Sequence, residues 1–557
     1  MRFLKSTEIR SELQTYMFQK LQLALTTSFE SKPLRSILLG AFLTRLIAAF
    51  FSPGFLMVDD HFLTIEPAGS WANGLNYNDW LPGIGNNKTH PEGFSFFYLG
   101  FLFAFIKFFN AVGIANPATQ MILVRIIHAA YSVLTVYYSY KITEKISTRK
   151  NAITVGLLLA FIAIMPNFSV RNLVEVVCMP PLLAGVFILL KHAPLKDFAL
   201  GPLRLEAPVL NAPKKTSWLA VALAGMVMGL AIGIRFQTGL FVACSGAILL
   251  FQHSLRAFLA FGFMSFVGFF ITQIDDVLLW GGEPFQHLRG YMEYNKENAH
   301  QYPGSPWTYF SLITIFILPP VGLFITAGFI ASWRKYSIIF FPTATFIAFH
   351  LLFPNKQERF ILPILPFFVI AGVIGWREIS QKWNTSKWHS ICWKSFWILN
   401  TIGMLVLCFT STKKSRVETM TYLYEAGDCS NFILEYTHKA SGAWMPTFYS
   451  KCKSTYYFFG KDDNMHAVMQ GIDQAATATA NDIMPRSLPN YVLFYDDNDL
   501  NGRVSRMQQY YPELTYRTTI EPGWFDKMLH AINPKNSLEN VHIYSTPTVV
   551  EPVLSEN

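Results

Sequence analysis

A chain of 557 residues that is 52% hydrophobic, 16% aromatic and only 15% charged is too apolar for an ordinary soluble domain and reads as a polytopic membrane protein. Its formal net charge of +9 taken alone would suit a nucleic-acid partner, but the Lys and Arg residues fall in short clusters between apolar runs and not on one basic face. Positive loops that set membrane orientation account for it better.

Residues 1–35 mix Arg2, Lys5, Arg10, Lys20, Lys32 and Arg35 with polar residues and lack the apolar core and cleavage site of a signal peptide, so the first apolar run is expected to remain as an anchor. Crossing a bilayer takes roughly 17–25 residues. Twelve runs qualify: 35–53, 94–113, 119–140, 152–169, 173–191, 217–234, 236–252, 255–273, 308–332, 336–353, 360–376 and 394–411. The basic clusters at the N-terminus, 141–150, 191–215, 253–256, 334–335 and 377–387 share one side if the run 94–113 does not cross. Eleven crossings are then expected, with the loops 54–93, 167–174, 275–307 and 354–359 on the outer side. From residue 413 the apolar periodicity breaks, and alternating runs such as Tyr491–Tyr495 and Val541–Tyr544 predict strands. The expected organisation is a membrane domain over 1–412 and a small soluble α/β domain over 413–557.

Cys178, Cys244, Cys392 and Cys408 lie in or beside apolar runs and read as core residues. Cys429 and Cys452 lie in the polar C-terminal part, where a disulfide is open if that part faces an oxidising compartment.

The first outer loop begins Val58-Asp59-Asp60-His61-Phe62 and reaches Glu66, placing three carboxylates and an imidazole at a membrane edge. Capping of a helix start is one reading and chemistry the other. Arg171-Asn172-Leu173-Val174-Glu175 supplies a second polar cluster, and Asp275-Asp276 through Tyr294-Asn295 to Tyr302-Pro303-Gly304-Ser305-Pro306-Trp307 a third. The fourth is Asn355-Lys356-Gln357-Glu358-Arg359-Phe360, ahead of a Pro-interrupted apolar run. Arg235 sits between two apolar runs on the expected outer side. A snorkelling anchor and a functional cation are both open for it.

In order and spacing these four pieces resemble glycosyltransferase family 22, the lipid-phosphate-sugar-dependent mannosyltransferases of the GT-C class. Asp60 stands where that family usually shows Glu, Asn355 replaces its His, and Gln357 is inserted before Glu358. Thr89-His90-Pro91-Glu92-Gly93 looks instead like the His-Pro-Pro segment of the protein-O-mannosyltransferase and aminoarabinose-transferase branches, so the chain is similar to a divergent member. The resemblance covers about residues 36–370. It implies a GT-C fold of about eleven transmembrane helices plus outer-surface helices, and inverting transfer of a sugar, mannose favoured, from a polyprenyl-phosphate donor to a glycan, lipid or protein acceptor. No cofactor is implied, and a divalent metal has no His pairing to support it.

A pre-activated donor of that kind needs a carboxylate to take the acceptor's proton and cations to hold the departing phosphate. Asp59 is the candidate base, with Asp60 and Glu66 in support. Arg359, Arg235 and Lys356 are candidates for the phosphate, and His61, His90, Arg171, Glu175, Asp275, Tyr302 and Trp307 for substrate contacts. The alternative class is a transporter or flippase of lipid-linked glycans, which would show paired broken helices in two related halves. The bacterial cytoplasmic membrane is the favoured location and the endoplasmic reticulum the alternative, with the C-terminal domain extracytoplasmic.

Overall fold

Each of the twelve apolar runs carries helix in the computed structural model, which describes residues 29–546 except 76, 80–95, 201–202, 208–212, 279–281, 302, 382–385, 437–443, 453–455, 461–462, 478–487 and 535–537. Six of these helices are long and apolar enough to cross a membrane, and five shorter apolar ones accompany them. Three runs are interrupted, and the stretch 173–191 passes from Val174–Val177 to Met179–His192 through a turn at Cys178. The stretch 308–332 divides into Thr308–Phe316 and Val321–Ala331, because Pro319 and Pro320 supply no backbone N–H to continue the ladder. The stretch 152–169 ends its first helix at Phe161 and resumes as the short helix Ile164–Phe168.

The central rod is the segment from Arg359 to Trp376, buried at every residue. Its head, Glu358–Ile364, winds as a 3₁₀ turn containing Pro363, and Pro366 starts the α-helix Leu365–Ile379. Apolar side chains around its whole circumference require protein on all sides. Within a bilayer that burial is held by close packing more than by escape from water. Gly328 of Val321–Ala331 meets Gly372 and Gly375 of the rod backbone to backbone, so that a Cβ on any of the three would strike a neighbouring carbonyl.

The two ends of the helical body are chemically distinct. At one end the acidic and aromatic loops meet: Pro303 bridges Asn355, Arg171 donates to the Gly54 carbonyl, and Gln237 bonds Tyr291. At the other end the basic loops meet, with Arg377 Nε donating to Asn151 Oδ1 at 3.4 Å and the Glu206 amide to the Arg334 carbonyl at 2.7 Å. The helix Phe96–Ala111 touches the acidic end at both of its termini. Phe96 packs against Trp71 and His287 at ring separations of 5.0 and 4.0 Å. Asn110 bonds Asn73 at 2.8 Å and receives Gln120 at 2.7 Å, while Lys451 from the C-terminal part donates to the Ala115 carbonyl at 2.6 Å.

Beyond the last apolar helix, Lys387–Cys408, Thr412 pairs with the segment Pro53–Phe55. Gly54 takes φ 96° there, and any side chain at that position would collide with the Thr412 carbonyl. A five-stranded mixed sheet follows, with strands β1 (Phe432–Tyr436), β2 (Tyr457–Gly460), β3 (Tyr491–Tyr495), β4 (Thr515–Ile520) and β5 (Val541–Ser545). Its order is β2-β1-β3-β5-β4. Strands β2, β1 and β3 run parallel, and β5 opposes β3 and β4. Cys429 and Cys452 form a disulfide.

The contacts at both ends of Phe96–Ala111 bear on topology. Ala115→Cys is expected to react with a membrane-impermeant maleimide from the side that carries the C-terminal part, and Lys150→Cys only after permeabilisation. Protection of residue 115 until the membrane is opened would mean that Phe96–Ala111 crosses.

Candidate functional site

Asp59 and Asp60 open the one-turn helix Asp59–Phe62, and adjacent helical positions point about 100° apart. The two carboxylates therefore enter different surroundings. Asp59, with its side chain 32% exposed, pairs with Arg359. Arg359 also faces Glu175 at 3.6 Å, and Glu175 faces Arg235 at 3.2 Å. The result is an alternating row of two carboxylates and two guanidiniums drawn from four distant stretches of chain. Glu175 is completely buried, and neither of its oxygens has a hydrogen bond, so charge alone holds it between the two arginines. Both guanidiniums lie over the Phe360 ring, at 5.0 Å for Arg235 and 5.7 Å for Arg359. The Gln357 side-chain carbonyl accepts from Arg359 Nε at 3.0 Å and Nη2 at 2.7 Å. The inserted Gln357 thus aims the arginine, a role that its sequence position did not signal.

Asp60 turns inward. One oxygen accepts from the Leu56 amide at 2.9 Å, and the other is buried without a partner. Asp60 also lines a cavity of about 10 Å³ together with Arg125, Arg171 and Asn172, a volume close to one water. Burial pushes the Asp60 carboxyl up to about 6, outweighing the attraction of Arg171, whose own guanidinium burial lowers to about 10.

Glu66 faces away from the arginines and binds the C-terminal part. It accepts from His61 Nε2 at 2.9 Å, Thr447 Oγ1 at 2.8 Å, the Phe448 amide at 3.0 Å and Asn78 Nδ2 at 3.3 Å. His61 is sandwiched between Phe55 and Tyr449, at ring separations of 5.3 and 5.6 Å. Glu66 and His61 are therefore committed to holding the first loop against the segment Thr447–Tyr449. Lys356 is committed as well, donating to the carbonyls of His350, Leu351 and Phe353 and so capping the helix Ser337–Leu352. Trp307 stands 70% exposed at the rim. His90 and Tyr302 lie outside the described residues, as does the side chain of Asp275. Its neighbour Asp276 is buried against His287 at 2.6 Å.

Among the residues not singled out from the sequence, Asn78, Thr447 and Phe448 converge on Glu66. Tyr291 comes close enough to Arg235, Glu175 and Arg359 to feel their charges. Thr447 and Phe448 reach Glu66 across 381 and 382 positions, which no local pattern can reveal. Arg125 also lines the cavity at Asp60, and a cation within the apolar first part of the helix Pro117–Ile146 was a signal that could have found it. Among the described residues no group of three or more His, Cys, Asp or Glu side chains is arranged to hold a metal ion.

The sequence profile of the Alg9-like mannosyltransferase family matches residues 36–433. No curated protein matches the chain in sequence. In structure it is similar to ArnT from Cupriavidus metallidurans bound to undecaprenyl phosphate, with a TM-score of 0.53 at 11% identity over 91% of this chain and 97% of that one. The apo state of ArnT gives 0.52 at 10% identity with the same coverage. The Archaeoglobus fulgidus oligosaccharyltransferase in complex with Zn and sulfate gives 0.44 at 11% identity, over 86% and 72% of the two chains.

The raised Asp60 carboxyl fixes a sign for stability. The proton held by the folded state adds stability that is full below the ordinary value of 3.8 and is lost as the pH rises through 6. Asp60→Asn mimics the protonated form at every pH. Its melting temperature relative to wild type is expected to increase between pH 4 and pH 7 and then level off. A difference that stays constant over that range would show that Asp60 does not titrate there.

Proposed function

Because the chain belongs to the Alg9-like mannosyltransferase family, whose profile matches most of it, we propose that it transfers a mannosyl residue, with inversion, from a polyprenyl-phosphate donor to an acceptor hydroxyl on the side where the acidic loops meet. The observation that carries this reading is the partly exposed Asp59 carboxylate beside Arg359, with Glu175 and Arg235 directly behind. ArnT, which has a similar fold, was solved with undecaprenyl phosphate bound, and this supports the same donor class here. The Cys429–Cys452 disulfide fits a C-terminal part facing an oxidising, extracytoplasmic compartment.

The reaction needs three things from these residues. The donor phosphate takes up the Arg359 fork, with Arg235 adding a second positive charge, since guanidinium matches the planar spread of phosphate charge. This draws Arg359 away from Asp59 and leaves that carboxylate free to accept a proton. The acceptor oxygen then attacks the anomeric carbon from the face opposite the phosphate. The new carbon–oxygen bond forms as the bond to phosphate oxygen breaks, Asp59 takes the hydroxyl proton, and the bonding pair leaves with the polyprenyl phosphate. A positioned base of this kind contributes about 10² to 10⁴ in rate.

Two substitutions separate these roles. Asp59→Asn is expected to lower the transfer rate by about 10² or more with donor binding near wild type. Arg359→Lys is expected to weaken donor binding and turnover together, recovering only part of what Arg359→Ala loses. The measurement is transfer by purified protein from polyprenyl-phosphate mannose, with donor binding followed separately. Full activity in Asp59→Asn would remove Asp59 as the base, and wild-type kinetics in Arg359→Lys would remove the fork from phosphate binding.

A further inference from the structure

At the basic end of the helical body, roughly 30 Å along the rod from Arg359, a groove of about 250 Å³ opens between the helices Arg149–Phe161, Val321–Ala331, Leu365–Ile379 and Lys387–Cys408. Its walls include Leu157, Ile325, Trp376, Trp393 and Trp397, with Arg377 among them. The indole N–H groups of Trp376 and Trp393 converge on His389 Nε2 at 3.3 and 3.1 Å. Trp376 is also backed face to face by Phe324 at 4.4 Å. Those hydrogen bonds satisfy the polar edges of the two rings and leave their apolar faces to line the groove. The volume lies below the roughly 300–1,000 Å³ that encloses a drug-sized molecule, and one wall, the helix Lys387–Cys408, has only 28% of its apolar window inside the protein.

Arg377 stands out in this setting. Its Nε donates to Asn151 at 3.4 Å, and among the described residues its terminal nitrogens have no hydrogen-bond partner. Among the described residues no carboxylate lines the groove, and the nearby Glu378 is held by Lys335 at 3.1 Å and Tyr336 at 2.9 Å. Arg149 and Lys150, next to Asn151, are exposed, as are Lys387 and Lys394 on either side of His389 and Trp393. An apolar slot with one free guanidinium and exposed cations around it matches an amphiphile with a single-tailed insert and an anionic head.

We propose that this groove is a binding site for an anionic glycerophospholipid, with one acyl chain between the tryptophans and the phosphate on Arg377. The site has a structural use. Lys387–Cys408 is one of the least buried of the long apolar helices, with 28% of its apolar window inside the protein, and it leads directly into Thr412 and the C-terminal sheet. A lipid wedged between it and the central rod would hold it in place at the end far from the reaction. Basic pockets between spanning helices on the cytoplasmic side are suited to anionic headgroups.

The test uses the full-length protein, delipidated in detergent. Its thermal unfolding is followed on adding phosphatidylglycerol, phosphatidylcholine with the same acyl chains, or inorganic phosphate, and retained lipid is counted by native mass spectrometry. Wild type is expected to hold phosphatidylglycerol roughly five- to tenfold more tightly than phosphatidylcholine and to show no response to inorganic phosphate. Arg377→Gln is expected to lose that preference, and Leu157→Trp, which fills the slot, to lose the retained lipid while remaining folded. Equal binding of the two lipids, a preference that survives Arg377→Gln, or a phosphate response equal to that of the lipid would each overturn the proposal. Should Arg377→Gln not fold, the Leu157→Trp count decides: unchanged lipid retention overturns it.

Discussion

The row Asp59, Arg359, Glu175, Arg235 is the constraint on which the acidic end of the molecule depends. Taking a single charge out of water costs several kcal/mol even after relaxation, and three of these four side chains are less than a tenth exposed. Two positive and two negative charges leave no net charge to bury, provided that all four arrive. The first loop, the helix start at Val174, the turn at Arg235 and the head of the central rod must therefore come to one place. The rod does this mechanically. Pro363 and Pro366 fix where its 3₁₀ turn gives way to α-helix, and burial from Arg359 to Trp376 leaves it no freedom to slide.

A second junction, centred on Glu66, fixes the first loop from above. A carboxylate that accepts several hydrogen bonds from another part of the chain gains roughly 1.5–3 kcal/mol from each charge-assisted bond, and removing one donor exposes a buried charge. The disulfide between Cys429 and Cys452 limits how far the segment carrying Thr447 and Phe448 can move. Lys451 on the Ala115 carbonyl and Thr412 on Pro53–Phe55 add contacts on either side. The sheet is thus joined to the loop that bears Asp59 at several points, and any motion of one is felt by the other.

Much of this was readable in advance, for identifiable reasons. Apolar runs of spanning length can form only helix in lipid, so all twelve were located, and the alternation in Tyr491–Tyr495 and Val541–Tyr544 marked two of the strands. The basic clusters separated the two ends of the body. Arg359, Arg235, Glu175 and Asp59 were each named as candidates from their place in polar loops. What the sequence withheld was pairing. Asp59 and Asp60 are equivalent on paper, and only their directions on a one-turn helix separate a partly exposed ion-paired carboxylate from a buried one. Glu66 looked like part of the chemistry because it follows the acidic pair, yet two of its partners, Thr447 and Phe448, lie 381 and 382 residues away. Lys356 looked like a phosphate ligand beside Arg359, but a long flexible side chain just past a helix end finds that helix's free carbonyls first.

On the proposed reading, the same row of charges favours Asp59 over Glu175 as the proton acceptor. Glu175 lies between two guanidiniums and has no exposure, so protonating it would leave two arginines facing each other without a counter-charge. Its structural effect is to let Arg359 and Arg235 stand close enough to share one anion. Asp59 has a single guanidinium partner and a third of its surface open, and that partner is the group a donor phosphate would draw away. The buried carboxylate keeps the cations together, while on the proposed reading the exposed one is released from its ion pair once an anion has arrived. On the proposed reading, the end position of Asp59 in the row ties activation of the base to occupation of the phosphate site.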